Sequence, residues 1–559
     1  MNRYQYRRTT LPVLGIGMIL LVPLFYLPVG VVLLQAFRSP EGWSSAEFIS
    51  RITSGYTWRI AWFTIRQAFF STLGSVVIGL PGAYLLAHYQ FPGKKLLRAV
   101  STIPFVLPPI LIVLGFVIFY GNQGVLNRML MNLFSLDRPP LRIMYSFTAI
   151  VLAHSFYNFP IILRSVGSYW EGLSDHYEQA AYSLGARRVR VFFSVTLPRL
   201  LPAIISASSL VFLFCFTSFA IILVLGGGPQ FTTLEVEIYR QARTSLDYSS
   251  ASVFALISLV FTLTLLLFYN RLSRSQSSEG SLRKSVLTQR PTAVSSRVAI
   301  LLYVVLSLVF LLSPLFSVVL RSFQAQTHRA GDVIWTLRWY RELLQPPGRV
   351  MVGNSARAIG QSITIALLTV LFTTPLSLLF SYGTARISRR YASFFEVTML
   401  LPMMISSIIL GLGYYLITYH LRGFGLARPH MLIVAAHVVI TLPFIYRITS
   451  AQARQAYLSY APAAYSLGST PWQTFRRIEL PLIKGSLYTG MVFVFALSMG
   501  EFNAALILSD SAIQTIPILM YRLIGAYNFF GACALGTILM VCSAAAFYLF
   551  DRSDTGGMV

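Results

Sequence analysis

The chain has 559 residues, of which 55% are hydrophobic and only 11% charged, and its formal net charge is +26. This composition, with a mean hydropathy of +0.67, excludes an ordinary soluble domain, in which about a quarter of the residues are charged. The basic residues are scattered between apolar runs, so no nucleic-acid partner is expected. Lysine and arginine in the cytosolic loops of a membrane protein explain the positive charge.

Apolar runs long enough to cross a bilayer as helices recur along the whole chain. The predicted fold is an all-α polytopic membrane protein with about 12 transmembrane helices of roughly 20 residues each. The first six spans are predicted at residues 11–37, 66–88, 99–120, 144–163, 201–225 and 249–269. The second six are predicted at residues 298–320, 360–383, 394–417, 431–446, 485–508 and 530–549. The first run is too long for a signal peptide, so we expect it to be a retained helix.

The two sets of spans define two halves, residues 1–270 and 298–559. Residues 271–297 between them are polar, basic and Ser-rich, which is typical of a flexible linker. An even number of spans places both termini on one side of the membrane. Basic residues near the N-terminus indicate that this side is the cytosol, and all four lysines then fall in cytosolic loops. The lysines are Lys94, Lys95, Lys284 and Lys484.

An internal repeat relates the two halves. Residues 154–198 align without a gap onto residues 437–481, at a constant offset of 283 positions, and the letters AAYSLG at 180–185 recur at 463–468. Both copies follow the same number of spans within their half, so the repeat is predicted to be parallel rather than inverted. A cytosolic loop that is repeated more faithfully than the spans around it indicates a surface that must fit a protein partner.

The loop pattern has a physical interpretation in both copies. Paired alanines let a short helix approach another protein closely, a glycine suits the left-handed turn that ends that helix, and proline suits the first turn of the next helix. We therefore expect a short helix across the cytosolic face that fits a groove of a partner. The residues expected to form the two sites are Glu178, Gln179, Ala180, Ala181, Gly185, Leu197 and Pro198 in the first copy and Ala463, Ala464, Gly468, Leu480 and Pro481 in the second.

These residues resemble the EAA loop of the permeases of binding-protein-dependent ABC importers. The glycines, the nine-residue spacing and both Leu-Pro pairs fit the pattern, but the position of the family's glutamate holds Gln179 and Pro462. The resemblance implies the type I (MetI-like) permease fold, with EAA-type loops at 171–199 and 454–482 and no enzymatic activity or cofactor in this chain. It also implies two ATPase subunits that carry ATP and Mg, an extracytoplasmic substrate-binding protein, and a bacterial inner membrane.

Candidate residues for the substrate pathway lie in the membrane. Glu501 is an acid well inside a predicted span, which by default suggests a function. It either faces a cationic substrate or pairs with an arginine, and we favour the pairing. The further candidates are its repeat equivalent Ser218 together with Asn503, Tyr239 and Tyr521. The equivalent histidines His154 and His437 are expected to bond backbone carbonyls.

The segments LGGGPQFTTLEVEIYRQA (225–242) and IQTIPILMYRLIGAY (513–527) narrow the resemblance. With SMGEFNAA around Glu501, they are similar to the fused permeases of bacterial thiamine importers, and ferric-iron permeases share the same architecture. Thiamine or its phosphates are the implied substrates, with ferric iron as the alternative. An ion-coupled secondary transporter is the rival from another class, but a single intramembrane glutamate offers little for ion coupling.

Overall fold

The computed structural model describes residues 3–173, 176–226, 228–276, 290–326, 333–343, 355–420, 429–510 and 513–554. The helices of the N-terminal part are α1 (Arg3–Leu21), α2 (Leu27–Gln35), α3 (Ser45–Thr53), α4 (Gly55–His88), α5 (Lys94–Val100), α6 (Ile103–Val106), α7 (Pro109–Tyr120), α8 (Val125–Phe134), α9 (Phe147–Glu171), α10 (His176–Ser183), α11 (Arg188–Val191), α12 (Leu197–Phe216), α13 (Ala220–Leu225), α14 (Leu234–Arg240) and α15 (Tyr248–Gln276). Those of the C-terminal part are α16 (Val294–Ser322), α17 (Arg338–Leu343), α18 (Ser355–Arg386), α19 (Arg389–Leu400), α20 (Ser407–His420), α21 (Pro429–Ser466), α22 (Pro471–Thr474), α23 (Leu480–Gly500), α24 (Asn503–Leu508), α25 (Ile516–Gly525) and α26 (Phe529–Asp554).

Short irregular elements complete the described chain. Two antiparallel hairpins pair β1 (Arg38–Ser39) with β2 (Gly42–Trp43) and β3 (Gln324–Gln326) with β4 (Val333–Trp335). Four π-helical turns occupy Val22–Tyr26, Phe192–Thr196, Gln241–Ser245 and Phe475–Glu479, and 3-10 turns occupy Pro229–Phe231 and Leu401–Met404.

The predicted helical membrane fold is confirmed. Among the described residues, 11 helices are long and apolar enough to cross a bilayer, and the count reaches 12 when one bent pair is taken as a single span. That pair, Arg390–Met404 with Ser407–Tyr419, bends by 89° within the predicted ninth span. The predicted third span is also interrupted, because α5, α6 and α7 divide it. Prolines lie near both interruptions: Pro104 and Pro108 lie at the starts of α6 and α7, and Pro402 lies in the 3-10 turn before the second break. Each proline lacks the N–H that a continuous helix needs.

The predicted fifth and eleventh spans end earlier than expected. The helix α12 stops at Phe216 and α23 stops at Gly500, and the short helices α13 and α24 follow after a break of a few residues. The apolar run continues through each break, so hydropathy alone could not show where the helix ends. Each break leaves the amide groups of a new helix N-terminus to be satisfied.

The chain folds into two compact units, which are described separately. The N unit comprises Ile52–Glu237 and Ile257–Leu320, and the C unit comprises Met1–Arg51, Ile238–Leu256 and Arg321–Val559. Each unit therefore contains the first span of the other sequence half. The bounds of the predicted linker 271–297 are too wide, because residues 271–276 belong to α15 and residues 294–297 belong to α16. Residues 277–289 lie outside the described residues.

Close helix contacts hold the exchanged spans. In the N unit, the hydroxyl of Tyr303 on α16 donates a hydrogen bond of 3.0 Å to the carbonyl of Ile78 on α4. A Cβ on Gly115 of α7 would lie only 3.1 Å from Pro314 of α16. In the C unit, α1 packs against α18 so closely that a Cβ on Gly17 would lie 2.6 Å from a ring carbon of Phe380. Small residues at such contacts let helix backbones approach closely in lipid.

Candidate functional site

The first repeated loop contains a left-handed turn at the predicted glycine. Gly185 has φ of +81°, a conformation that is costly for residues with a Cβ. Its amide donates to the carbonyl of Tyr182 at 2.9 Å, and the amide of Ala186 donates to the carbonyl of Ala181 at 3.1 Å. These bonds satisfy the last carbonyls of α10 as in a Schellman motif. The predicted turn is confirmed.

The second repeated loop has the same geometry. Gly468 has φ of +83°, its amide donates to Tyr465 at 3.0 Å, and the amide of Ser469 donates to Ala464 at 3.1 Å. A Cβ on Gly185 or on Gly468 would meet nothing within 4 Å. The glycines are therefore required by backbone conformation and not by crowding.

The two loops differ in the helix that leads to the turn. The first turn ends α10, a helix of eight residues with no buried side chain. The second ends α21, a helix of 38 residues that runs without interruption from the membrane through Pro462. The expectation of a separate short helix is therefore wrong for the second copy. Because Pro462 has no N–H, the carbonyl of Leu458 four residues earlier lacks its helical hydrogen bond. Both residues are exposed, so water can bond that carbonyl.

Each loop exposes large apolar side chains at equivalent positions. Leu184 is 88% exposed and Leu467 is 89% exposed, directly before the two glycines. The other members of this exposed set are Tyr177 and Val189 in the first copy and Tyr460 and Trp472 in the second. Sequence reasoning missed these residues, although the leucine belongs to the repeated AAYSLG. Apolar side chains clustered at a surface mark a contact site.

The Leu-Pro pairs lie inside a helix rather than at its start. The helical run begins at Arg188 in the first copy and at Pro471 in the second, and a π-helical turn precedes Leu197-Pro198 and Leu480-Pro481 in the same way. The prediction that proline occupies the first turn is therefore corrected. The amide of Leu197 bonds the carbonyl of Phe192 five residues back, so the wider turn accommodates the missing amide of the proline. Such π turns are rare and frequently mark functional positions.

Acidic residues support the two loops differently. In the first copy, Glu178 on α10 accepts a hydrogen bond of 2.6 Å from the hydroxyl of Thr196, while Gln179 is exposed. In the second copy, the position equivalent to Thr196 holds Glu479, whose two carboxylate oxygens lie 2.5 and 2.6 Å from a guanidinium nitrogen of Arg386. Both side chains of this ion pair are buried, at 1% and 3% exposure. The acid thus lies on the helix before the glycine turn in the first copy, and in the π-helical turn after the glycine turn in the second copy.

The intramembrane acid Glu501 lies at the break between α23 and α24. Its carboxylate accepts hydrogen bonds from the amides of Ala504 at 2.9 Å and Ala505 at 3.1 Å, so it caps the N-terminus of α24. One oxygen also lies 3.2 Å from Nε2 of His437. The expectation that Glu501 pairs with an arginine is wrong. The nearby basic side chain is His437 of α21.

The equivalent histidines bond hydroxyl groups and not backbone carbonyls. Nδ1 of His437 lies 2.7 Å from the hydroxyl of Ser498, and Nδ1 of His154 lies 3.1 Å from the hydroxyl of Ser71. The serine lies on α23 in one unit and on α4 in the other. The prediction of backbone partners is therefore corrected, because helix carbonyls in the spans are already bonded within their own helices.

The other pathway candidates occupy different parts of the fold. The amide of Asn503 donates to the hydroxyl of Ser407 at 3.0 Å, beside Glu501. The ring of Tyr521 lies 5.5 Å from that of Phe502, and Tyr239 belongs to the same C unit. Ser218 is half-buried at the equivalent break in the N unit. The structure therefore brings Glu501, Asn503 and Tyr521 to neighbouring elements and leaves Ser218 in the other unit.

The comparison with known families gives the assignment. The model of the family described as the inner membrane component of binding-protein-dependent transport systems matches residues 75–278 and again residues 373–555. The chain belongs to this family. It is the membrane-spanning permease of an ABC importer, a transport component. The two matches correspond to the two halves of the internal repeat.

Individual relatives of this permease agree with the family match. The thiamine transport system permease protein of Brucella suis is 28% identical over 510 residues, which cover 89% of this chain and 88% of that protein. Its counterpart in Haemophilus influenzae is 27% identical over 507 residues, which cover 90% of each chain. A putative 2-aminoethylphosphonate transport system permease protein of Salmonella typhimurium is 31% identical over 261 residues, which cover 46% of this chain and 91% of that protein.

Proposed function

We propose that this permease imports thiamine or its phosphates through the bacterial inner membrane, driven by two separate ATPase subunits that dock on the two repeated loops. ATP and Mg are bound by those subunits. A substrate-binding protein delivers the solute at the extracytoplasmic face, and both termini lie in the cytosol. The observation that carries the proposal is the pair of matching loops, which share a left-handed glycine and an exposed leucine.

Docking follows from the surface of the two loops. A helix end that stops sharply at a glycine, with a leucine almost fully exposed beside it, presents a small apolar tip that a groove can bury. Burying a leucine side chain stabilises a complex by about 1.5–3 kcal/mol. Two such tips with the same local geometry fit two copies of one partner. This supports a stoichiometry of one permease chain to two ATPases.

The substrate assignment rests mainly on relatives that match the chain nearly from end to end. The two thiamine permeases align over about nine-tenths of their own length. Glu501 contributes less than its charge suggests, because two backbone amides and His437 already surround the carboxylate. Glu501 therefore supports the helix break first, and any contact with a cationic solute would be made beside that break.

Deletion of residues 180–185 or 463–468 tests the docking. Each deletion is expected to reduce co-purification of the ATPase and to lower ATP-dependent uptake, while the permease still inserts in the membrane. Docking on these loops is refuted if assembly and uptake both survive. Uptake that persists without ATP and collapses with the ion gradient would instead identify a secondary transporter.

Ligand binding by the cognate substrate-binding protein tests the substrate. Calorimetric titration with thiamine, thiamine phosphates, ferric iron and 2-aminoethylphosphonate separates the candidates. Thiamine or a thiamine phosphate is expected to bind. Binding of iron or the phosphonate alone would overturn the substrate and leave the permease architecture unchanged.

A further inference from the structure

The second repeated loop, residues 454–482, is called here the second coupling segment, and residues 171–199 the first. The second segment is anchored to the membrane helices by a buried cation. Arg386 is the last residue of α18, and its guanidinium group is paired with Glu479 in the π turn that precedes α23. The same guanidinium lies over the ring of Tyr382 at 3.5 Å and over the ring of Tyr457 at 4.8 Å. Tyr457 is part of α21, two turns before the repeated AAYSLG. One side chain therefore joins α18, α21 and the start of α23.

Packing around this ion pair adds to the anchor. Ala453 and Ala456 of α21 and Ile483 of α23 form a small buried cluster, against which Leu480 of the Leu-Pro pair packs. The rings of Tyr382 and Phe475 meet edge to face at 5.1 Å. A displacement of the second turn must therefore carry α21 and α18 with it or break a buried pair of opposite charges, which is unfavourable in a low-dielectric site.

The first coupling segment has a weaker connection. The helix α9 ends at Glu171, and α10 begins anew at His176 with none of its side chains buried. Contacts between α10 and the following helix include the hydrogen bond from Thr196 to Glu178 and the stacking of Arg199 on Tyr177 at 4.4 Å. The acid that anchors this half, Glu171, lies before the break and pairs with Lys94 at 3.3 Å. The break therefore separates the anchored helix from the coupling helix.

We propose that the two coupling sites are mechanically unequal: Arg386 and Glu479 act as positioning residues that transmit ATPase movement from the second site to the spans α18 and α21, whereas the first site docks without a rigid link. This inference rests on the proposed docking of ATPases at both loops. It predicts that loss of the Arg386–Glu479 ion pair at the second site uncouples ATP hydrolysis from transport. Equivalent damage at the first site leaves the two processes coupled.

The test uses the full complex with its ATPases and substrate-binding protein in proteoliposomes, with thiamine uptake and ATP hydrolysis measured together. Glu479→Thr places at the second site the residue that the first site has at the equivalent position. We expect this variant to bind the ATPases normally and hydrolyse ATP, with uptake per ATP lowered about tenfold, a large loss for coupling through one packed network. Thr196→Val at the first site is expected to lower uptake per ATP by less than about twofold.

Two further variants separate transmission from folding. Arg386→Met with Glu479→Met replaces the pair by apolar side chains of similar length, a change that buried ion pairs often tolerate without loss of stability. It is expected to assemble, to keep its thermal midpoint and to lose uptake per ATP as Glu479→Thr does. Glu396→Thr, which removes an exposed acid from α19, is the control for loss of charge and should transport normally.

The outcomes are distinguishable. Full uptake per ATP in the assembled double methionine variant overturns the role of the ion pair. Equal losses in Glu479→Thr and Thr196→Val overturn the inequality of the two sites. Failure of the proposed function would instead appear in the unmodified protein, as absence of ATPase binding or of ATP-dependent uptake.

Discussion

The left-handed glycines of the coupling loops give the most direct quantitative prediction. Gly185 has φ of +81° and Gly468 has φ of +83°, and an added Cβ would find open space at both positions. Substitution by alanine therefore changes backbone strain and creates no clash. It isolates the conformation of the turn as the only altered quantity in the folded loop.

The magnitude follows from the backbone conformation. An L-residue in the left-handed region costs about 1–2 kcal/mol. If the free loop of the alanine variant relaxes out of this turn and the ATPase binds only the turn, the strain is subtracted from the binding free energy. At about 1.4 kcal/mol per factor of ten, the affinity of each altered site should fall roughly 5- to 30-fold. Asparagine tolerates the left-handed region, so Gly185→Asn should lose less than Gly185→Ala.

The assay is a titration of the purified ATPase against the permease in nanodiscs, with the dissociation constant as readout. Gly172→Ala is the matched control, because this glycine lies in the same loop with φ of −88°, which any residue adopts. The Gly172→Ala variant should bind the ATPase with the affinity of the unmodified protein. The reasoning is refuted if Gly185→Ala binds as tightly as Gly172→Ala, or if asparagine is as harmful as alanine.

Three other measurements test the fold. Glu501→Ala removes the cap of α24 and should lower the free energy of unfolding by about 1 kcal/mol, seen as a lower thermal midpoint in detergent; an unchanged midpoint would contradict the capping role. Gly115→Val should cost about 1–3 kcal/mol because its side chain meets α16, whereas Gly360→Val, with open space around it, should be much milder. Residues 298–559 expressed alone lack α1, which packs on α18, and should be degraded unless residues 1–270 are co-expressed; a stable fragment would show that the exchanged span is dispensable.

The sequence was sufficient to predict most of the spans and the two glycine turns of this fold. Apolar length gave the spans, because helices in lipid must bond their own backbone groups. The glycine turns were predictable because only glycine adopts the left-handed region without penalty, and both copies place it after the same letters. A signal that appears twice at equivalent positions is much stronger than either copy alone.

Hydropathy could not predict where helices break or which helices pack together. The run around Glu501 is apolar on both sides, and only the structure shows that the acid caps a new helix. The first spans of the two halves are held in the other unit by close contacts at Gly17 and Gly115. A single sequence does not show which helix packs against a given glycine, so this exchange could not be predicted. The buried pair of Arg386 with Glu479 was missed for a similar reason, since 93 positions separate its members.

The division between what the two loops share and where they differ supports a common partner. The residues of the two turns are identical in sequence, including the exposed Leu184 and Leu467. The contacts on the side that faces the membrane helices differ, with Glu178 and Thr196 in the first copy and Glu479 and Arg386 in the second. In a permease built from two identical chains, every change would appear at both sites. Fusion into one chain allows the contacts behind each turn to change independently, whereas two copies of the same ATPase would require the exposed turns to stay alike.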